Sequence, residues 1–164
     1  MVNNYQGLHR GPIDHEASSV INVIASERIT MGSAVRLNTT IPSTELLPRV
    51  DESDSANEQI YGIAVGGDAD GIYGDGSVGV VGDRFNATEN ADEGIVVLTQ
   101  GRCPARVTGT IAVGDKLTAE GTTGLLETPA IPAESDRVIA IALQANASGE
   151  GIIAVDVQRQ GSAI

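Results

Sequence analysis

The sequence predicts an all-β fold, a small β-barrel or sandwich of short strands. Apolar residues recur in short bursts separated by segments rich in Gly, Asp and Thr. Hydrophobic residues make up 41% of the 164 residues, yet there is no Trp, one Phe and three Tyr, so burial must come from Ile, Val, Leu and Ala. No window shows a 3.6-residue apolar stripe, and the helical candidates are single turns near 42–47, stopped by Pro48, and near 134–137.

The predicted strands follow the apolar bursts in chain order. They are 20–25, 34–37, 59–65, 77–81, 94–99, 105–113, 116–119, 137–143 and 151–158. Turn-forming runs such as Gly66-Gly67-Asp68 and 121–124 separate them. The stretch 1–19 shows neither the helical nor the strand period, which predicts an extended N-terminal arm before a β domain at 20–164.

Three sequence blocks occur twice, in the same order. They are Ile29–Val35 with Ile111–Leu117, Ile60–Val65 with Val138–Leu143, and Glu93–Leu98 with Glu150–Val155. The order predicts two related β units, at about 26–100 and 101–158, with an acidic Gly-rich insertion at about 67–92 in the first. The alternative is that Gly-rich β sequences resemble one another without duplication.

Charge excludes two classes of partner. The formal net charge is −12 and the pI about 4.3, so the chain has no cation cluster for nucleic-acid phosphates and is repelled by an anionic membrane surface. The acidic excess with a single Lys, Lys116, is typical of proteins of halophilic hosts, although a GC-rich genome also favours Arg over Lys. No apolar run is long enough to span a membrane, and the N-terminus lacks a signal-peptide pattern, so we expect synthesis in the cytoplasm.

Two acidic or His-containing groups resemble metal ligands. One group, in the arm, consists of His9, Asp14, His15 and Glu16, and the other, in the insertion, consists of Asp68, Asp70 and Asp75. The residues of the arm group are irregularly spaced, and the insertion group lacks the Glu that closes a calcium-binding loop. We interpret both as polar surface residues and predict no metal site, with a weak salt-dependent cation site in the insertion left open.

The sequence also predicts no enzyme and no cofactor. Cys103 is the only cysteine, and Arg102 and Arg106 beside it would lower its pKa, but its only partner histidines lie in the arm. We therefore interpret Cys103 as a small, half-buried apolar residue. Neither a Gly-x-Ser-x-Gly elbow nor a phosphate-binding Gly-rich loop with Lys-Ser/Thr occurs.

The second half resembles the capsid decoration (cement) proteins of tailed bacterial and archaeal viruses. The resemblance rests on short motifs in 99–107, 111–118, 137–143 and 149–155, and it covers about 26–158. Departures are Ala140, where Gly is common, and the acidic insertion.

The resemblance implies a structural virion protein, a β-barrel-like homotrimer that binds the outside of the capsid and braces neighbouring major capsid proteins. The arm would then order on binding, with apolar anchors at Val2, Tyr5, Leu8 and Ile13. A frayed terminus is the alternative for the arm. The alternative functions are a tail or fibre component and a Ca²⁺-dependent module for glycans or cell surfaces.

Overall fold

A computed structural model describes residues 19–40, 47–56, 58–66, 94–121, 124–130 and 138–158. Within these residues there is no helix, and the all-β prediction is confirmed. The strands are β1 Ser19–Ala25, β2 Ala34–Leu37, β3 Arg49–Glu52, β4 Gly62–Gly66, β5 Gly94–Val107, β6 Lys116–Ala119, β7 Leu126–Glu127, β8 Ala140–Ala142 and β9 Gly151–Val157. A search of the described residues finds no helix long and apolar enough to cross a membrane.

The strands form two closed five-stranded barrels that share β5. In the first barrel, the pairing order β1-β3-β2-β4-β5 closes because β5 also pairs with β1. The second barrel follows the order β5-β7-β6-β8-β9 and closes through β5 and β9. Closure pairs the strands on both sides and so removes the open edges that make sheets prone to aggregation.

Both barrels have the same topology. The first pairs β1 in parallel with β3, and the second pairs β5 in parallel with β7, while all their other pairings are antiparallel. By register, Ala34 corresponds to Lys116 and Ile63 to Ile141. The first two repeated sequence blocks therefore lie on equivalent strands.

The third block is equivalent with a shift of one residue. The sequence aligned Ile95 with Ile152, but pairing places Ile95 opposite Val23 and Ile153 opposite the corresponding Ala105. Ile95 and Ile153 are both buried, whereas Ile152 is exposed. Ile95 is therefore equivalent to Ile153, because both side chains point into a barrel. Aligning the identical Glu-Gly-Ile sequences places the two strands one residue out of register.

β5 runs unbroken through a region where two strands were expected, 94–99 and 105–113. The strand passes from one barrel to the other at Gly101. The φ of Gly101 is 115°, a value that glycine adopts at little energetic cost. Pro104 lies within the strand, opposite Ala154. Both polar groups of Ala154 bond elsewhere, its N–H to Gln144 and its C=O to Leu143, so the missing N–H of Pro104 costs no bond with β9.

The strands β3 and β7 were not predicted. β3 has one buried apolar residue, Val50, and β7 has only two residues. Each is held by a parallel neighbour on one side and an antiparallel neighbour on the other. Long-range pairing rather than local apolar pattern therefore defines both strands.

The buried side chains form two clusters. One fills the first barrel and includes Val23, Val35 and Val97. The other fills the second barrel and extends to Ile63 and Leu98 of the first. Because this second cluster contains residues of both barrels, the barrels are packed against each other through a shared apolar layer.

Candidate functional site

Several predicted site residues lie outside the described part of the chain. These are the arm anchors Val2, Tyr5, Leu8 and Ile13, the histidine-containing group of the arm, and the aspartates of the acidic insertion. Ser19, assigned to the end of the arm from sequence, is the first residue of β1. Among the described residues, no three His, Cys, Asp or Glu side chains are grouped closely enough to hold a metal ion.

Cys103 is fully buried on β5, inside the second barrel, rather than half-buried as expected. Burial raises the pKa of its thiol far above the usual range, and the charge of Asp156 raises it further. The shift is opposite to the lowering that flanking arginines would cause. On a strand, neighbours of an inward-pointing residue point outward, so Arg102 and Arg106 face away from the thiol.

A pocket of about 580 Å³ opens on the first barrel. Hydroxyl and amide side chains predominate in its lining, which consists of Ser19, Arg36, Leu37, Thr39, Glu58, Gln59, Ile60, Tyr61, Thr99 and Gln100. The sequence reasoning missed this site, because its lining comes from separate elements that only the barrel closure brings together.

The divergence of the two barrels explains the pocket. In the second barrel, Ala140 pairs with Val157, and the Gln158 N–H donates to the Ile139 C=O at 2.7 Å. In the first barrel, the pairing of β4 with β5 ends at Ile63 and Leu98. Beyond Leu98, β5 continues into the second barrel, and the pocket lies past this end of the β4–β5 ladder, where Tyr61, Thr99 and Gln100 are among its lining residues.

Arg36 is clamped by three carboxylates beside this pocket. Its guanidinium lies 2.9 Å from Glu58 Oε1, 3.1 Å from Asp54 Oδ2 and 3.8 Å from Asp51 Oδ2. Burial alone would lower the pKa of Arg36, but the Glu58 hydrogen bond and the three negative charges raise it overall. The Arg36 Nε is buried without a hydrogen-bond partner in the described part of the chain. The local charge is net negative, so this pocket suits neutral polar ligands better than anions.

A second candidate region is an apolar surface on the second barrel. Val113, Leu143 and Ile152 are exposed by 67%, 37% and 44%. Backbone bonds connect the elements that carry them, because Gly114 N–H donates to Ala142 C=O and Leu143 N–H to Ala154 C=O. A contiguous apolar patch marks a surface that binds proteins, and these three exposed side chains on adjoining elements make this face a candidate for one.

No protein-family model matches the chain, and no curated protein matches it either. Among solved structures, the fold is similar to the crystal structure of the head fiber gp8.5 N base in bacteriophage phi29, with a TM-score of 0.54. The match covers 90% of this chain and 99% of that one at 12% sequence identity. At that identity, the likeness establishes a shared fold.

Proposed function

We propose that this chain is a structural virion protein that binds the outside of a viral capsid and stabilises contacts between major capsid proteins. The observation that carries the proposal is the similarity of nearly the whole double barrel to the base of a phage head fiber. The motifs shared with capsid decoration proteins, at 99–107 and 111–118, support the same assignment from sequence.

The physical properties suit such a role. A protein that binds only the assembled shell stabilises that shell by mass action. The net charge of −12 gives the chain a hydrated surface that repels the phosphates of packaged nucleic acid. We further propose a homotrimer, since a rotationally symmetric oligomer presents three identical contacts to a symmetric lattice of capsid subunits.

The test is co-sedimentation of purified protein with capsids that lack it. We expect saturable, stoichiometric binding to assembled shells, little binding to unassembled major capsid protein, and shells that resist heat or low salt better when coated. Deleting residues 1–18 tests the arm: we expect weaker shell binding with an unchanged oligomeric state. Absence of shell binding would refute the proposed function, and unchanged binding by the deletion variant would refute only the role of the arm.

Two other functions have a specific observation in their favour. The first is the base of a fiber, favoured because the similar structure is the base of a phage head fiber; co-purification of a distal fiber protein with this chain on capsids would support it. The first-barrel pocket, with Tyr61 and polar side chains, favours a glycan-binding module. Ca²⁺-dependent retention on a glycan array, without shell binding, would support the glycan module instead.

A further inference from the structure

The turn before β2 and the turn before β6 are built alike. In the first barrel, Gly32 N–H donates to Ala64 C=O and Ser33 N–H to Thr30 C=O. In the second, Gly114 N–H donates to Ala142 C=O and Asp115 N–H to Ala112 C=O. The two glycines have φ values of 85° and 92°. We call residues 30–34 the first turn and residues 112–116 the second turn.

Only the first turn is covered. Residues 31–34 are all buried, whereas 112–114 and 116 are exposed. The covering element is the second barrel: Arg106 N–H donates to Gly32 C=O at 2.9 Å, and Ala34 N–H donates to Gly124 C=O at 2.7 Å. The guanidinium of Arg106 also donates to Ser33 Oγ at 3.2 Å. The first turn is thus an established barrel-to-barrel interface.

This interface uses an opening in the parallel seam of the second barrel. In the first barrel the seam is closed at the corresponding place by a bond from Ile24 N–H to Pro48 C=O, 2.9 Å long. The corresponding groups of the second barrel are Arg106 N–H and Gly124 C=O, and both bond to the first turn instead. A short stretch of one barrel therefore completes the hydrogen bonding of a strand seam in another.

We propose that the second turn is a docking element that inserts in the same way into an open strand seam of a different, β-rich protein. Resting on the proposed function, we assign that partner as a capsid subunit. The second turn has the internal geometry of the first, and Val113, at its tip, is exposed by 67%. No described residue of this chain covers it in the way that the second barrel covers the first turn.

A second copy of the chain does not fit as the occupant. The seam of its first barrel is closed by the Ile24 and Pro48 backbone groups, and the seam of its second barrel is filled by its own first turn. Continuity with the internal interface therefore points to another protein. By analogy, that protein offers a backbone N–H to the Gly114 C=O and a backbone C=O to the Lys116 N–H.

Charge complementarity defines the partner further. The Ser33 hydroxyl accepts a hydrogen bond from the Arg106 guanidinium and donates one to Glu52 Oε1 at 2.8 Å. Ser33 thus links the arginine to a carboxylate. In the second turn, Asp115 stands at the Ser33 position and brings the carboxylate itself, with Oδ2 accepting the Ala112 N–H at 2.8 Å. We infer that the partner places an arginine or lysine against Asp115.

The test compares shell binding by four proteins: wild type, Val113→Asp, Asp115→Asn and the control Val20→Asp, which makes the same change on β1 of the first barrel. Val113 and Val20 are both exposed, so thermal unfolding should change little. We expect shell affinity to fall about tenfold or more for Val113→Asp, because a buried aliphatic contact is replaced by a charge. Asp115→Asn keeps the acceptor for the Ala112 N–H and loses the charge, so a smaller but salt-sensitive fall is expected.

Each outcome decides one point. Failure of the wild type to bind shells overturns the proposed function and this inference with it. Wild-type binding with equal affinities for Val113→Asp and Val20→Asp overturns the inference alone. Sedimentation of the free proteins provides the third readout: a Val113→Asp variant that changes oligomeric state would assign the second turn to contacts between copies and overturn the capsid assignment.

Discussion

Replacing Gly62 with Ala should destabilise the first barrel, because β4 and β5 approach each other closely there. A Cβ at Gly62 would collide with the backbone carbonyl oxygen of Leu98 and lie 2.5 Å from Val97 Cγ1. A backbone oxygen in a paired strand cannot rotate away, and the branched Val97 has little rotamer freedom. The strands must therefore separate, which weakens the β4–β5 ladder.

The magnitude follows from two opposing contributions. Overpacking of this kind costs about 1–3 kcal/mol. Removing the extra unfolded-state freedom of Gly returns about 0.5–1 kcal/mol. A net loss of roughly 1–2 kcal/mol corresponds to a melting temperature lower by about 2–8 °C for a chain of this size.

Urea denaturation of matched variants is the assay for Gly62→Ala. Gly94→Ala is the control, since a Cβ there meets nothing within 4 Å. The equivalent of Gly62 in the second barrel is Ala140, which accommodates its Cβ while buried. We expect Gly62→Ala and Ala140→Gly both to lower the urea midpoint, and Gly94→Ala to leave it unchanged or higher. A Gly62→Ala midpoint at or above that of the wild type would refute the close-packing argument.

Three further predictions concern single buried or clamped groups. Because the Cys103 thiol has a raised pKa when folded, only the unfolded chain ionises above pH ~8.5, so the free energy of unfolding should fall by about 1.4 kcal/mol per pH unit above that value. Urea midpoints from pH 7 to 10 should show this extra slope in the wild type relative to Cys103→Ala; parallel curves would contradict it. Arg36→Met removes the guanidinium that pairs with the partly buried Asp51 and Glu58 carboxylates and should cost about 1–3 kcal/mol in chemical denaturation, partly restored by 1 M NaCl; a salt-independent loss would argue against a charge effect. Gly124 has a φ of 64°, and a Cβ added there would lie 2.7 Å from Ser33 Cβ. Gly124→Ala should therefore loosen the barrel-to-barrel contact and lower the free energy of unfolding by about 1–3 kcal/mol in urea denaturation. An unchanged free energy of unfolding would show that this contact adjusts freely.

Local pattern was sufficient for the strands that carry their own apolar residues. β2 and β6 have the predicted bounds, 34–37 and 116–119, and β1 and β9 differ from prediction by one residue. In β1 and β9, buried and more exposed residues alternate along the part of the strand that packs on the core, whereas the last three residues of β6 are all buried. The all-β class and the ordered repeats follow from the same signal, because each repeat is one turn and strand with its own apolar pattern.

Features that depend on distant pairing could not be predicted in this way. β3 becomes a strand through β1 and β2, and β5 continues through Gly101 and Pro104 because β9 pairs along its second half. The pocket has the same origin, since its lining comes from separate elements that the closed barrel brings together. The sequence also could not distinguish the two turns: Met31 and Val113 are both apolar, and only the packing of the barrels covers one and exposes the other.

Divergence between the barrels shows which part of the repeated unit is constrained. The hydrogen bonds of the two turns are equivalent, although the supporting carboxylate comes from Glu52 on β3 in one barrel and from Asp115 within the turn in the other. The Ser33 hydroxyl donates a hydrogen bond to Glu52 and accepts one from the Arg106 guanidinium, so the first turn contacts the neighbouring barrel through this hydroxyl. A turn that served only to connect strands would need no such polar surface on its outer side. The second turn retains the geometry of the first, and in the described part of the chain its tip at Val113 is exposed where that of the first is buried, which is the observation behind the proposed contact with another molecule.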